Sequence, residues 1–368
     1  MMTPMRYVVL VLTIIISLHL ILTFSRGSYG IIGSQPSASE RITPSEYIWH
    51  ENTTAIQDRR ANAAIVMLAR NSDLKGMMKS MKQMEDRFNR KFKYPYVFLN
   101  EVPFDEKFTS SILALTDAKV EFGLIPHDHW FQPDWIDEEK ASVSRAKMAE
   151  NNVIYGGTYR NMCRYNSGFF YRHELLQKYR YYWRVDPDVT YFCDLDYDPF
   201  LVMQDQGKVY GFTISLPEYG ETIATLWDTV KDFIAKNPEL IPGDNAMAFI
   251  SDDNGNNYNR CHFWSNFEIG DLDFWRGEAY SKFFEHLDQA GGFYYERWGD
   301  APVHSIGAAL LAPKDKIHFF SDIGYRHEPF QRCPQGEAHS KGRCWCDPSE
   351  NFDYEGYSCL PKFDRLFD

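Results

Sequence analysis

Two aspartates flank a proline in Val185-Asp186-Pro187-Asp188, directly after the aromatic run Tyr181-Tyr182-Trp183. Residues i and i+2 of a strand share one face, so the sequence predicts that both carboxylates converge at the end of a buried strand. Proline removes a backbone donor where strand pairing has to stop. Two hard oxygen donors suit Mn²⁺ or Mg²⁺, which can bridge to a diphosphate. The alternative is an acidic surface turn.

A second acidic set follows in CDLDYDP, where Asp194, Asp196 and Asp198 alternate with other residues. The same argument from strand periodicity applies to it. It is therefore a rival candidate for the cation site.

A further carboxylate, Glu268, lies in CHFWSNFEIGDLDFWR among Trp264, Phe267 and Ile269. A carboxylate in apolar surroundings needs either a partner or a purpose. Aromatic rings beside acids also suit a sugar site, since rings stack on C–H faces and acids bind hydroxyls. A structural salt bridge is the other interpretation of Glu268. Asp271 and Asp273, in the same segment, are predicted to be turn or capping residues.

Two later segments add single polar residues. Asp300 precedes Ala301-Pro302 in a predicted loop, and His327 stands just before Pro329 in DIGYRHEPF. Taken alone, neither residue indicates a function, because single acids and histidines are common on protein surfaces and in cores.

The elements that must position these residues alternate between strand and helix patterns. ANAAIVMLARNSDL predicts a buried strand, then a polar turn with Ser72 or Asn71 as helix cap, and then a helix whose methionines face the core. No GxGxxG follows the first strand, so a dinucleotide fingerprint is absent. The pattern predicts a single doubly wound α/β domain. The predicted strands are 63–68, 96–99, 153–155, 181–185 and 209–214, and the predicted helices are 74–88, 223–235 and 274–290.

Length and charge set the outer limits. The chain has 368 residues, 16% of them aromatic, which is typical of a packed enzyme and not of a disordered chain. Its formal net charge is −12, which argues against a nucleic-acid partner.

The N-terminus predicts a membrane anchor. An apolar run of 18 residues, Tyr7 to Phe24, is just long enough to span a bilayer core. No clear Ala-x-Ala site follows, so an uncleaved anchor is favoured over a cleaved signal peptide. We therefore expect a cytosolic tail (residues 1–6), a transmembrane anchor (7–24), a Ser, Gly and Pro-rich stem (25–58) and a luminal catalytic domain (59–368).

Two features favour a luminal location for the domain. Asn52-Thr53-Thr54 is an N-glycosylation sequon just beyond the predicted span. The seven cysteines allow up to three disulfides and one free thiol in an oxidising compartment, with the pairing left open.

Together these segments resemble the fungal Golgi α-1,2-mannosyltransferases, type II membrane enzymes that extend O- and N-linked mannose chains. The likeness runs from about Ala61 to Leu360. Its most specific parts are QMEDRFNRKFKYPYVFLN, YRNMCRYNSGFFYRH, YYWRVDPDV, the long segment from NRCHFWSNFEIG to VHSIGAAL, and DIGYRHEPF. The resemblance implies a Golgi membrane protein with a luminal, Rossmann-like GT-A-type domain and a mixed central sheet. It also implies the use of GDP-mannose and Mn²⁺.

The resemblance also implies roles for individual residues. The family's usual Glu-Pro-Asp motif falls on Asp186-Pro187-Asp188, so the first acid is one methylene shorter here. The implied metal ligands are Asp186, Asp188 and His327. Glu268 corresponds to the proposed nucleophile, Asp300 to an acid that contacts the acceptor, and Arg70, Tyr159 and Asp188 to residues of the donor site.

The function implied is transfer of mannose from GDP-mannose, with retention at the anomeric carbon, to mannose-terminated O- or N-linked glycans, as in protein glycosylation and cell-wall mannan synthesis. Two alternatives stay open at this point. The chain could transfer mannose phosphate from the same donor, or it could be a non-catalytic mannan-binding protein with the same aromatic cleft.

Overall fold

A mixed central sheet organises the protein, for which a computed structural model describes residues 59–150 and 157–368. These residues belong to one compact unit, Thr43–Asp368. The sheet has seven strands in the order β10-β6-β9-β4-β1-β2-β3, all parallel except β9, which runs antiparallel to both neighbours. Its strands are Ala63–Leu68 (β1), Tyr96–Asn100 (β2), Val120–Leu124 (β3), Tyr181–Val185 (β4), Tyr210–Phe212 (β6), Phe267–Asp271 (β9) and Ile317–Phe319 (β10).

Two small antiparallel sheets flank the central one. In the first, β11 (Tyr325–His327) lies between β5 (Thr190–Tyr191) and β12 (Phe330–Arg332). In the second, β7 (Ser215–Pro217) pairs with β8 (Cys261–Phe263).

Helices cover both faces of the central sheet. They are Leu74–Met84 (α1), Arg90–Phe92 (α2), Glu106–Leu113 (α3), His127–Trp130 (α4), Glu138–Glu150 (α5), Gly157–Gly168 (α6), Pro199–Asp205 (α7), Leu226–Lys236 (α8), Met247–Ile250 (α9), Leu272–Arg276 (α10), Glu278–Ala290 (α11), Gly292–Tyr295 (α12), Asp300–Leu311 (α13), Gly336–Lys341 (α14) and Leu360–Asp364 (α15). The described residues contain no helix with the length and apolarity that a membrane span needs.

Strand β1 shows how the sequence builds a core on each face of the sheet. Ala64 and Val66 belong to one hydrophobic cluster, whereas Ala63, Ile65 and Met67 belong to the other. This alternation follows from the two-residue period of a strand, and a continuous apolar strand is typical of a sheet covered on both faces. The predicted strand 63–68 and the α/β architecture are thus confirmed.

The predicted cap of the first helix is wrong. A 3₁₀ turn, Asn71–Asp73, intervenes after Arg70, and the Asp73 carboxylate accepts a hydrogen bond from the Arg70 backbone N–H at 2.9 Å. The predicted methionine face is confirmed, because Met77, Met81 and Met84 are buried. The regular helix ends at Met84, and a π-helical turn replaces its last predicted residues.

Other predicted elements differ in their ends or lie outside the described residues. The predicted helix 274–290 is two helices, α10 and α11, separated by the extended backbone of Gly277. The predicted cap role of Asp271 is confirmed, since its side chain accepts from the Asp273 N–H at the start of α10. The predicted strand 153–155, the predicted span 7–24, the stem and the sequon all lie outside the described residues.

Three disulfides form as the cysteine count predicted, and Cys163 is a buried free thiol. The pairs are Cys193–Cys344, Cys261–Cys359 and Cys333–Cys346. His339 lies beside Cys333 and Cys346, but a disulfide sulfur is not a thiolate ligand, so this group does not make a zinc site. Two of the bridges, Cys193–Cys344 and Cys261–Cys359, fasten the C-terminal segment to earlier parts of the chain, and the third lies within that segment.

The rival acidic set is structural. Asp194 pairs with Arg87 and Arg343, and Asp196 pairs with Arg343. Asp198 caps α7 through the Phe200 N–H. The sequence had left this set open as a cation site, and its carboxylates are instead engaged by these partners.

We expect Asp322 to make stability depend on pH. Burial raises the pKa of Asp322 from 3.8 to about 6, and the Tyr197 hydroxyl donates to it at 2.9 Å. The folded state therefore holds a proton that the unfolded state releases, so this contribution is present below the ordinary carboxyl pKa and is lost as pH rises through about 6. Asp322→Asn should remove about 2–3 kcal/mol of the fall in unfolding free energy between pH 4 and pH 7.

Urea unfolding across this pH range measures the difference between variant and wild type. Asp117→Asn, at an exposed aspartate, is the matched control and should leave the pH dependence unchanged. Identical pH profiles for wild type and Asp322→Asn would contradict the assignment.

Candidate active site

A buried arginine organises the edge of the sheet where β4 ends. Arg184 contacts both oxygens of Asp186, at 2.9 Å from Nε to Oδ1 and 3.2 Å from Nη2 to Oδ2. Its third nitrogen, Nη1, lies 2.5 Å from Asp300 Oδ2. Burial alone would lower the pKa of Arg184, but the charges of Asp186, Asp300 and Glu268 more than offset it and raise that pKa well above its usual value. Arg184 therefore stays charged and joins two of the predicted site acids.

Asp300 lies in the first turn of α13, not in the loop that the sequence predicted. The proline two positions on starts the helix, because proline is tolerated in a first turn where its missing N–H has no helical partner. Burial would raise the pKa of Asp300, but Arg184 outweighs it and holds the pKa below its ordinary value. Ser265 Oγ donates to the same oxygen, Oδ2, at 2.8 Å.

The second acid of the motif does not share a strand face with the first. Strand β4 ends at Val185, and Asp188 adopts a left-handed backbone conformation with φ of 61°. Its carboxylate is exposed and lies 4.0 Å from Lys79 Nζ. The expectation of two carboxylates at i and i+2 of one strand is therefore wrong, because the chain turns at Pro187.

Gly76 of α1 lets this turn approach closely. A Cβ at Gly76 would lie 2.5 Å from Asp188 Oδ2 and 3.0 Å from Pro187 Cβ. The backbone N–H of Asp188 also donates to the Gly76 carbonyl at 3.2 Å. The start of α1 thus holds the motif in place.

His327 is brought to the same corner by β-sheet pairing. Strand β11 pairs with β5 through Tyr325–Tyr191 and Arg326–Thr190. Carried one residue further, this antiparallel register places His327 opposite Val189, the neighbour of Asp188. His327 Nδ1 lies 3.0 Å from the Glu328 carbonyl. A proton on Nδ1 donated there leaves the Nε2 lone pair for a ligand, which is the usual arrangement of a metal-binding histidine.

These residues fit a divalent cation by donor chemistry and neighbourhood. Asp188 supplies an exposed carboxylate and His327 an imidazole nitrogen, both of which Mn²⁺ accepts. Asp186 directs both oxygens to Arg184, so a cation there would share that carboxylate. Within the described residues, Asp186, Asp188 and His327 do not bring three ligand atoms within 4.8 Å of one another.

Glu268 is held by hydrogen-bond partners from three elements, Tyr182 of β4, Tyr210 of β6 and His304 of α13. It is 1% exposed and lies across from Arg184 in the antiparallel register of β4 and β9. Tyr182 donates to Oε1 and Tyr210 to Oε2, each at 2.9 Å. His304 Nδ1 lies 2.9 Å from Oε2. The structural alternative, a salt bridge, has a candidate partner in His304, which is charged only when protonated, and the two tyrosines add neutral donors.

Gly270 makes room for the two tyrosines. It is paired with Tyr182 on one side and Tyr210 on the other. A Cβ at Gly270 would lie 2.6 Å from the Tyr182 ring, so any larger residue would push that ring away from Glu268.

The two hydrogen bonds of His304 indicate the protonation of the His304–Glu268 pair. Its Nε2 lies 2.9 Å from the Asn166 carbonyl, which can only accept, so Nε2 must donate. Its Nδ1 faces a carboxylate oxygen, and two lone pairs would repel there. A proton must therefore lie between His304 and Glu268, and the buried pair holds one proton more than a neutral histidine and a bare carboxylate would.

A small pocket, with room for about one water molecule, adjoins Glu268. It lies beside the ends of β1 and β2. Its lining includes Leu68, Leu99, Tyr165, Asn166, Arg184 and Glu268. The Tyr165 hydroxyl and Asn166 Nδ2 are buried and find no hydrogen-bond partner among the described residues. Leaving such groups unpaired costs about 1–3 kcal/mol each, so the pocket suits a bound polar molecule.

The other residues predicted to bind the sugar-nucleotide donor, Arg70 and Tyr159, have partners other than Glu268. Arg70 follows β1 and is exposed, with Nε 3.2 Å from Asp73. Tyr159 lies in α6 and accepts from Arg297 Nη1 at 3.4 Å. Arg297 in turn pairs with Glu218 at 3.3 Å.

The sequence interpretation missed Arg184, Tyr182, Tyr210 and His304. Tyr182 belongs to the aromatic run that precedes the motif, and the sequence analysis assigns no role to Arg184. Their i, i+2 spacing already placed them on one strand face, opposite the face that carries Trp183. An arginine in a strand predicted to be buried is the signal that was available, because a buried charge requires partners.

Comparison with known proteins identifies the family of the chain. The sequence profile of the glycolipid 2-alpha-mannosyltransferase family matches residues 32–366. The chain belongs to the glycolipid 2-alpha-mannosyltransferase family. It is 53% identical to glycolipid 2-alpha-mannosyltransferase 1 of Candida albicans, over 91% of this chain and 78% of the relative. It is 52% identical to the alpha-1,2 mannosyltransferase KTR1 of Saccharomyces cerevisiae, over 83% of this chain and 79% of the relative.

Two solved structures of mannosyltransferases are similar to this chain in fold and sequence. The Mn/GDP form of core-mannan synthase A from Aspergillus fumigatus aligns with a TM-score of 0.78 and 44% identity, covering 83% of this chain and 85% of that one. The mannosyltransferase Ktr4p of Saccharomyces cerevisiae in complex with GDP aligns with a TM-score of 0.80 and 41% identity, covering 83% and 82%. The predicted GT-A-type domain with a mixed central sheet is confirmed for the described residues.

We expect Arg184→Gln to destabilise the fold by about 3–5 kcal/mol, because it leaves Asp186 and Asp300 as unpaired carboxylates. Adding Asp300→Asn should restore part of that loss by removing one of the two uncompensated charges. Guanidinium unfolding of the single and double variants measures the coupling.

Arg343→Gln is the matched control, because Arg343 pairs with Asp194 and Asp196 but its side chain is 59% exposed. It should cost at most about 1 kcal/mol. A double variant no more stable than Arg184→Gln would show that Arg184 does not neutralise Asp300.

Proposed function

We propose that this chain is a retaining α-1,2-mannosyltransferase, which moves mannose from GDP-mannose to the terminal mannose of an O- or N-linked glycan. The observation that carries the proposal is the Arg184 network, which sets Asp186 and Asp300 beside Glu268 at one edge of the sheet. That edge is formed by the carboxyl ends of parallel strands, where ligands bind in open α/β sheets. The relatives' names and the GDP-bound neighbours support the same assignment.

The metal side of the site would use Asp186, Asp188 and His327. A bound Mn²⁺ would neutralise charge on the diphosphate and so make GDP a better leaving group. The Mn/GDP form of core-mannan synthase A supports this choice of ion. Arg70 and Tyr159 would contribute to the donor site, Arg70 with an exposed positive charge at the end of β1.

Glu268 would act on the mannose that is transferred. Its carboxylate adjoins the pocket and is fixed by Tyr182, Tyr210 and His304, so it needs no reorganisation to face a developing positive charge. Retention follows either from a mannosyl–Glu268 intermediate or from attack on the same face with Glu268 stabilising the oxocarbenium charge. The three donors already on Glu268 disperse its charge, which favours the stabilising role.

Asp300 would position the acceptor. Its Oδ2 is taken by Arg184 and Ser265, whereas Oδ1 has no hydrogen-bond partner among the described residues. An acceptor hydroxyl could donate to Oδ1. Because the pKa of Asp300 is held below its ordinary value, the carboxylate stays ionised and able to accept at neutral pH.

The location of the enzyme is part of the proposal. The predicted anchor and the disulfides fit a single-pass type II protein of the Golgi membrane with its catalytic domain in the lumen. The mannosylphosphate alternative uses the same donor but leaves a charged, acid-labile phosphodiester, so its product is distinguishable from a neutral glycoside.

The decisive experiment incubates the full chain with GDP-mannose, Mn²⁺ and α-mannosides, and assigns the new linkage by NMR. A neutral product with a new α-1,2 linkage is expected. Chelation of the metal should abolish transfer, and added Mn²⁺ should restore it. A phosphodiester product, or no transfer to any α-mannoside, would overturn the proposal.

We expect Glu268→Gln to lower kcat by at least about 100-fold, because it removes the negative charge that faces the transition state. Binding of GDP should persist, since Glu268 lies in the sugar part of the site. Steady-state kinetics and GDP titration calorimetry measure the two effects. Glu337→Gln, at an exposed glutamate in α14, is the control and should retain full activity. Near-normal turnover of Glu268→Gln would remove Glu268 from the mechanism.

A further inference from the structure

A row of aromatic rings leads from the predicted metal corner to the surface. His327 packs on Trp264 with ring centroids 4.9 Å apart, and Trp264 packs on Phe330 at 5.8 Å. Phe330 then stacks on Tyr357 at 5.9 Å. Exposure rises along the row, since Trp264 and Phe330 are half-buried and Tyr357 is 40% exposed.

A second path reaches the same place from Asp300. A Cβ on Gly299, the residue before Asp300, would lie 3.3 Å from Glu218 Oε2. Glu218 leads directly to Tyr219, whose side chain is 65% exposed. Tyr357 closes the path, because its hydroxyl donates to the Pro217 carbonyl at 3.1 Å.

These contacts form a closed ring that begins and ends at Asp300. One side passes through Ser265 and the aromatic row, and the other passes through Gly299 and Glu218. Burial raises the pKa of Tyr357, and the nearby Tyr219 and Glu218 raise it further, so the two tyrosines lie within electrostatic reach. The exposed tyrosines at the far side of this ring are therefore linked by short chains of contacts to Asp300, the residue proposed to hold the acceptor.

The chemistry of this surface suits an uncharged carbohydrate. Glu218 is neutralised by Arg297 at 3.3 Å. Exposed rings with polar tips bind ligands that have both apolar faces and hydroxyl groups, and pyranose rings have both. Tyr219 and Tyr357 are both exposed, and a contiguous exposed apolar patch is typical of a binding site.

We propose that Phe330, Tyr357 and Tyr219 form a subsite for the second and further sugars of an oligosaccharide acceptor. This inference rests on the proposed function and narrows its substrate class, because it makes a chain of two or more sugars a better acceptor than a single mannose. The terminal sugar would lie at Asp300, and the sugars before it would run along the aromatic row.

The test measures kcat/KM for the full-length enzyme with α-mannosides of one, two and three sugars. Wild type should improve with length. Tyr357→Ala with Tyr219→Ala should lose about tenfold with the three-sugar acceptor, because it removes the modest stacking contributions of two rings. The same double variant should match wild type with the one-sugar acceptor and in GDP-mannose hydrolysis.

Two further variants separate stacking from structure. Tyr357→Phe keeps the ring and removes the hydrogen bond to Pro217, so it should behave as wild type. Tyr354→Ala is the matched control, since Tyr354 is 66% exposed and three residues away, and it should keep the dependence on length. An equal loss in Tyr357→Phe would assign Tyr357 a structural role and overturn the subsite.

The results also separate this inference from the function it rests on. Transfer that does not depend on acceptor length in wild type would overturn the subsite and leave the mannosyltransferase proposal intact. Absence of transfer to every α-mannoside would overturn both.

Discussion

The site depends on one buried guanidinium. Arg184 is the last residue but one of β4. It neutralises two acids, Asp186 just after the strand and Asp300 at the start of α13. Removing two carboxylates from water costs several kcal/mol for each ion, and only a charged, hydrogen-bonded partner offsets that cost. A single arginine therefore fixes the position of Asp186, the proposed metal ligand, relative to Asp300, the proposed acceptor residue.

The second buried network acts differently. Among the described residues, Glu268 has no hydrogen bond from an arginine or lysine, and two tyrosines and a histidine stabilise it with three hydrogen bonds. Such bonds to a charged group contribute about 1.5–3 kcal/mol each, so the carboxylate can stay inside the protein without an arginine or lysine bound to it. In the proposed mechanism, the side of Glu268 that adjoins the pocket faces the cationic sugar. The two networks therefore differ in chemistry: Arg184 forms ion pairs with Asp186 and Asp300, whereas Tyr182 and Tyr210 donate neutral hydrogen bonds to Glu268.

The sequence predicted most of the fold because apolar periodicity determined it. Strands β1 and β4 follow their predicted limits, since each is buried on both faces and bounded by polar residues. The errors occur where local chemistry competes with periodicity. Asp188 does not lie on the strand face because Pro187 ends the hydrogen-bonded pairing of β4. Asp300 lies in a helix because Pro302 is tolerated in the first helical turn. His304 and Tyr210 could not be assigned to Glu268, because their contact depends on pairing between segments far apart in sequence.

The shorter acid at position 186 has a consequence for the metal side. With Asp instead of the family's usual Glu, the carboxylate reaches back to Arg184 with both oxygens and is fully engaged by it. A longer side chain could keep one oxygen on the arginine and extend the other toward the turn. The exposed Asp188, held by its left-handed backbone and by the close approach of Gly76, then becomes the acid best placed to approach a cation together with His327. If these residues hold the proposed cation, the backbone geometry of the Pro187–Asp188 turn, and not the strand, would set how firmly it is bound.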